Sequence, residues 1–414
     1  MWPVNANEVE RLGLDHGLAL RVATERNDDR GGRADIRWQT VILDLPDDGG
    51  SAMPLLRGVI LRQEKSATYK LALLRCVARI ADTSPNVARE VGDDVILPLG
   101  LIALYWIRMF KPLIARNLPQ SPSGRMGFVK DAFRALEPVA PFDLRPGASF
   151  TGTIGAALRR ALAEVARLIA TMPATHLTFS NDQPVFPTEY GRMPRGGEAI
   201  DVGLDLLWEY GATRVPLPVW QALRRMSAWI EPMLIAEWVR LTRGYAAREN
   251  RVVTADEVMA ALEWIEPMRD TRFVHTLARQ RFDSGKAIAC VWSGRPLRPG
   301  SIDIDHCLPW SAWPCGDLWN LLPSTPAINQ HEKRERIVAA ATLAEARPRI
   351  VEWWQETYMS NTPAIRLRFT EEARTTLPLP HERSLDVDDL FAALEFRRLR
   401  LLQDTQLSEW SGPR

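Results

Sequence analysis

The chain has 414 residues, 46% of them apolar on a wide count, which is long for one domain and ample for real cores, so two or three ordered domains are expected. Its 52 basic side chains nearly cancel 51 acidic ones, so overall charge argues neither for nor against nucleic acid and only local clusters bear on it. Four cysteines, Cys76, Cys290, Cys307 and Cys315, form no CxxC pair, which argues against a disulfide scaffold and a four-cysteine zinc site and fits a reducing cytoplasm.

The N-terminus "MWPVNANEVERLG" has neither a basic nor an apolar signal region. Residues 1 to about 65 are polar and turn-rich, with one alternating run, 36 to 45, that predicts a strand. From Thr68 onward Tyr69, Ala72, Leu73, Cys76, Val77 and Ile80 fall on one helical stripe, which leaves Lys70, Arg75 and Arg79 for a solvated or phosphate-facing side. The longest apolar run, 95 to 107, is interrupted by Pro98 and Gly100 and is too short to span a membrane, so it predicts a buried helix. Another helix over 152 to 170 buries Ile154, Leu158, Leu162, Val165 and Ile169 and turns Arg159 and Arg160 outward. The turn formers of 175 to 190 predict a hairpin or a domain edge, and two further helices are divided at Pro232. Thr254 and Glu257 then make a capping box. No repeat at a fixed period is present, and His16 and His176 stand alone, as structural histidines do.

The pattern changes after about residue 270. Residues 286 to 309 are β-prone with turns at 293–296 and 299–301, residues 318 to 323 predict a second strand, and 324 to 346 predict one continuous helix opened by a Ser/Thr cap and Pro326. Between them lies "DIDHCLPWSAWPCGDLWNLLPSTPAIN". Ile304, Leu308, Leu321, Leu322 and Ile328 can fill a core, but Asp305 beside His306 is costly to bury unless paired or metal-bound, and such a pair suits metal-dependent hydrolysis.

These residues resemble the HNH nucleases, a ββα-metal family. The resemblance rests on Asp305-His306, Pro309, Asn320 fourteen residues past His306 and Asn329 twenty-three past it, offsets also found in the HNH domain of RNA-guided CRISPR effectors. The wording "LWNLLPS…IN…K" is similar to HNH proteins of bacterial anti-phage defence. The resemblance is specific over about 285 to 340 and silent before about 265. It implies that His306 is the general base, that one Mg²⁺ or Mn²⁺ sits on Asp305 and Asn329, and that Asn320 holds the loop and steadies the histidine. Asp303, on the face of Asp305, is a further metal-site candidate, with capping or ion pairing as its alternative. Lys333, Arg334, Arg336, Arg295 and Arg298 are candidate phosphate contacts, against a plain solvated face. Two departures stand out: the zinc that braces many members lacks its CxxC pairs here, leaving Trp292, Trp310, Trp313 and Trp319 to replace it, and Asn329 stands where many members have histidine.

The expectation is a mainly α protein with a small α+β unit: a helical recognition or partner-binding region over 1–265, an HNH nuclease domain over 266–345 and a helical extension over 346–414 packed on it. The implied activity is endonuclease cleavage of double-stranded DNA in the cytoplasm, away from membranes, in defence against foreign DNA. The alternative is a nucleic-acid-binding or assembly subunit of a defence or CRISPR-type complex, with an incidental or inactive HNH domain. A zinc hydrolase is disfavoured, since HExxH is absent and His331 and His275 supply no convincing third ligand.

Overall fold

The computed structural model describes residues 6–15, 18–28, 30, 37–44, 50–124, 126–179, 181–264, 269–380 and 385–413. His16 and the expected domain boundary at 265/266 lie outside these residues. Helices account for 55% of the chain, and the strands form one four-stranded and four two-stranded sheets among the described residues, an α-dominant α+β architecture. No described helix is long and apolar enough to cross a membrane.

Two hydrophobic cores divide the chain, the first running from Ala52 to Trp264 and the second from Val274 to Trp410. In the first, strand Asp94–Pro98 leads through Pro98 straight into helix Leu99–Ala115, fourteen of whose 17 residues are buried. Its Trp106 and Phe110 stack at 4.9 Å between ring centroids, and Phe128 and Trp238 pack edge-on or tilted around them. Each such ring contributes roughly 1.5–3 kcal/mol through burial. Strand Asp94–Pro98 pairs with Gly211–Pro216, which in turn pairs with Thr188–Tyr190. Gly211 permits this last approach: its φ is +121°, and a Cβ there would collide with the Glu189 carbonyl.

Three expectations for this region change. Helix Tyr69–Thr83 is buried nearly all round, because helices pack on both of its sides. Arg75 is therefore not on a solvated face: it is 0% exposed and donates to Glu231 at 2.8 Å and to the Leu262 carbonyl at 2.6 Å. Arg159 is likewise buried and donates to the Ala199 carbonyl, while Arg160 remains exposed. Finally, the helices divide at Met226 rather than at Pro232, which lies inside Ser227–Arg248. As the sixth residue of that helix Pro232 forfeits only a bond near the first turn. The capping box at Thr254 and Glu257 is present, with both reciprocal bonds made.

The second core is built on tryptophan. Trp292 meets Trp410 edge-on, and Trp353, Trp354 and Tyr358 donate to the carbonyls of Leu321, Trp319 and Leu321 at 3.1, 3.0 and 3.1 Å. The helical segment Ala340–Trp354 and the turn after it thus hold residues 319–321 by directed bonds as well as by packing. Strand Leu321–Ser324 follows a short 3-10 turn at Leu318–Asn320, so the predicted strand starts three residues later than expected. The single helix expected over 324 to 346 is two. A wide-turned helix, Ala327–Lys333, stops at Arg334, whose φ is +53°, and the β-branched pair Ile337–Val338 forms a short parallel strand with Glu409–Trp410 before the next helix begins. The two cores touch through Arg145–Glu372 at 3.1 Å, Asn86 to the Arg374 carbonyl at 2.9 Å, and Glu371 accepting from the Leu204 amide at 2.6 Å.

Candidate active site

Strand Asp303–His306 pairs antiparallel with Leu321–Ser324, His306 opposite Leu321 and Asp305 opposite Leu322, and helix Ala327–Lys333 follows. The loop between the strands is closed by one side chain: Asn320 Oδ1 accepts from the Leu308 amide at 2.8 Å, and its Nδ2 donates to the carbonyls of Leu308 and Cys315 at 3.3 and 3.0 Å. Asn320 is 0% exposed, so each of these bonds forms where water does not compete. His306 is the last residue of its strand, which frees its ring from strict alternation and lets it share a pocket with Asp305.

That pocket has a volume of about 50 Å³ and is lined by Arg269, Asp305, His306, Pro309, Trp310, Ser311, Arg334 and Glu335. It has room for a few waters, at roughly 10–15 Å³ each. The His306 ring packs edge-on against Trp310 at 5.2 Å, and neither ring nitrogen has a hydrogen-bond partner among the described residues. Burial, with the positive charges of Arg269 and Lys333, pushes its pKa down to about 3, against a smaller opposing pull from Asp303. The imidazole is therefore neutral at physiological pH, with a lone pair to offer.

Asp305 is held from two sides. Its Oδ2 accepts from Trp292 Nε1 at 2.8 Å and its Oδ1 from Lys333 Nζ at 3.1 Å. Lys333 also donates to the His306 carbonyl at 2.6 Å and lies 5.8 Å from the centroid of the Trp292 ring. Burial raises the Asp305 pKa, with Lys333 and Trp292 pulling it back. Asn329 faces elsewhere: with Gln330 it donates to Asp303 Oδ2, at 2.9 and 3.0 Å, so Asp303 anchors the start of the helix.

The residues meant for a divalent ion do not fit one as they stand. Both oxygens of Asp305 already accept bonds, the Asn329 side chain is turned to Asp303 through its Nδ2, and no three His, Cys, Asp or Glu side chains gather as a ligand set among the described residues. Lys333, expected to reach phosphates from the helix surface, is 0% exposed because the chain turns inward ahead of Arg334. Arg334, Arg295 and Arg298 are exposed, and half-buried Arg336 donates to the Glu332 carbonyl. Of the four tryptophans expected to brace the fold, Trp292 and Trp319 are buried while Trp310 and Trp313 line cavities. Arg269 and the Trp292 donor were missed. Nothing near Arg269 marks it in sequence.

A larger cavity of about 400 Å³ lies between the two cores, its walls including Tyr105, Phe142, Trp264, Trp313, Asp317 and Glu372. Burial and the neighbouring Glu372 push Asp317 up to about 7. Glu372 accepts from the Leu318 amide and from Arg368, both at 2.7 Å, so the carboxylates pin the loop that also carries Trp310.

Fold and hairpin together define a mainly helical α+β chain with a buried imidazole at the end of a small β-hairpin. Over residues 49–262, just over half its length, the chain matches the family described as Domain of unknown function (DUF8808), and it belongs to that family. This stretch covers nearly all of the first core and ends before the hairpin, so the membership leaves His306 unaddressed. No curated protein and no solved structure matches the chain.

Proposed function

We propose that the chain is an HNH-type endonuclease acting on a phosphodiester of DNA, with His306 as the base. The observation that carries this reading is a buried imidazole with no hydrogen-bond partner among the described residues, opening on a pocket with room for a few waters and edged by Arg269 and Arg334. His306 accepts a proton from water as the water oxygen bonds to phosphorus, and the bond to one flanking sugar oxygen breaks, that oxygen keeping the electron pair and taking a proton from solvent to leave as a hydroxyl. The two guanidiniums offset the charge that gathers on the phosphate oxygens. Asn320 keeps the loop, and through it Trp310, in place over the ring. On this reading residues 266–345 form the nuclease unit, 346–414 brace it and 1–265 select substrate or partner. Placement in the cytoplasm and a role against foreign DNA rest on the thiols and on the resemblance alone.

One observation favours a second reading, an inactive domain kept for binding: His306 is only 3% exposed, and the pocket is far below the roughly 300 Å³ of ordinary ligand sites. A plasmid-cleavage assay with Mg²⁺, Mn²⁺ or EDTA, comparing the chain with His306→Ala, separates the two. Nicking or linearisation that His306→Ala lowers by about 10² or more supports the nuclease. DNA retention with no cleavage under any condition supports the binding subunit.

A further inference from the structure

The ββα resemblance calls for a divalent ion on Asp305, yet a different cation is already there. Lys333 Nζ lies 3.1 Å from Asp305 Oδ1 and 2.6 Å from the His306 carbonyl oxygen, and its third direction faces the Trp292 ring. Side-chain exposures are 0% for Lys333 and 3% for Asp305, so the pair is dry. Trp292 Nε1 takes the other carboxylate oxygen at 2.8 Å. A magnesium-like ion needs near-octahedral oxygen donors and retains several waters, whereas here each Asp305 oxygen already accepts from a buried donor and Lys333 Nζ takes the place beside Oδ1.

We infer that Lys333 is a built-in substitute for the divalent ion: its ammonium occupies the cation position of Asp305 and keeps that position closed to metal. The placement follows from the chain itself. The helix ends at Lys333, the positive φ of Arg334 reverses the backbone, and the lysine is aimed back under the hairpin instead of outward. A buried carboxylate needs a counter-charge, and a tethered ammonium is always at hand where a free ion must first be captured. The inference takes the identity of the site from the nuclease reading, but it concerns which cation Asp305 holds and is tested without cleavage.

The test is Mn²⁺ binding to the full chain, followed by loss of the free-ion EPR signal and by the melting temperature. The unaltered chain should show no bound Mn²⁺ that Asp305→Asn removes. Lys333→Met should gain about one equivalent, lost again in the pair Asp305→Asn with Lys333→Met. Because Lys333→Met strips a buried carboxylate of its partner, that variant should melt well below the unaltered chain, Mn²⁺ should raise its melting temperature by several degrees, and the double variant should recover without metal. Lys333→Gln, which retains a donor, serves as the second variant should Lys333→Met not fold. One equivalent of Mn²⁺ on the unaltered chain that Asp305→Asn abolishes overturns the inference, as does a folded Lys333 variant that gains no Mn²⁺. Cleavage by a chain that binds no Mn²⁺ at Asp305 leaves both readings standing. Absence of cleavage with the expected Mn²⁺ pattern removes the nuclease alone.

Discussion

Arg75 in the first core and Lys333 in the second are both wholly buried cations, each donating to a carboxylate and to a backbone carbonyl. Their surroundings differ. Arg75 shares Glu231 with Arg79 and ties helix Tyr69–Thr83 to its neighbours, with Lys65–Glu237 at 3.6 Å as a second brace nearby. Around Lys333 the bonds run through Asp305, while Asn320 and Asn329 fix the flanking loop and helix, and beside them stands an imidazole with no partner among the described residues. A buried ion pair therefore says little about function by itself. A satisfied network that ends at one unsatisfied base is a functional candidate, because nothing structural requires that the base stay unpaired.

The comparison can be broken at its strongest point. His306→Ala should reduce DNA cleavage by about 10² or more while leaving the near-UV dichroism of the tryptophan core unchanged. Equal cleavage by both proteins would place the two cores on the same footing. Next come the cations themselves. Arg75→Met should cost about 1.5–3 kcal/mol of stability by denaturant titration, the loss of its bonds to Glu231 and the Leu262 carbonyl while Arg79 still holds Glu231, without changing cleavage per folded molecule. Loss of cleavage out of proportion to unfolding would give the first core a share in the chemistry.

Two titrating groups should have opposite effects on stability. His306 has its pKa depressed to about 3 in the folded chain against an ordinary value of 6.5, so between these values the unfolded chain binds a proton that the folded one refuses. Stability should rise with pH across that window, and His306→Phe should flatten the rise. Asp317 runs the other way: raised to about 7 from 3.8, it favours folding fully below its unfolded value, and that contribution is lost as pH rises through about 7. Asp317→Asn should thus raise the melting temperature more at about pH 8 than at about pH 5, and a uniform rise would argue that burial of Asp317 is not the cause.

The smallest effects concern surface charge. Replacing Arg269 and Arg334 with Ala should lower the slope of log affinity against log salt for duplex DNA by up to about 2, near 0.9 per phosphate contact. Arg160→Glu should leave it nearly unchanged. The reverse result would move the DNA path to the first core.

Much of this molecule is legible from local spacing. The apolar periods located the helices at Tyr69, Leu99 and Gly152, the capping box placed a helix start at Thr254, and the β-prone runs placed strands at Asp305-His306 and near Leu321, whereas the turn formers at 293–296 close only an isolated bridge between Ala289 and Pro296. What spacing omits is the number of neighbours each helix acquires. Arg75 looked outward because one stripe sufficed to explain the apolar residues, yet two faces were covered. Lys333 looked outward because the segment read as a continuous helix, and only the backbone at Arg334 reveals the reversal. Arg269 comes to His306 through the fold alone, a contact without any local signature.

That reversal makes residues 333 and 334 a one-residue step between two dielectric worlds. Lys333 is 0% exposed and Arg334 is exposed, though they are adjacent in the chain and both act on the pocket of His306. The field of the lysine acts through protein and is nearly indifferent to ionic strength, whereas that of the arginine is damped over roughly 8 Å at physiological salt. The pocket is thereby driven by one steady charge, Lys333, and by two adjustable ones, Arg269 and Arg334, so ionic conditions can alter how strongly it draws an anion while the contribution of the lysine stays fixed.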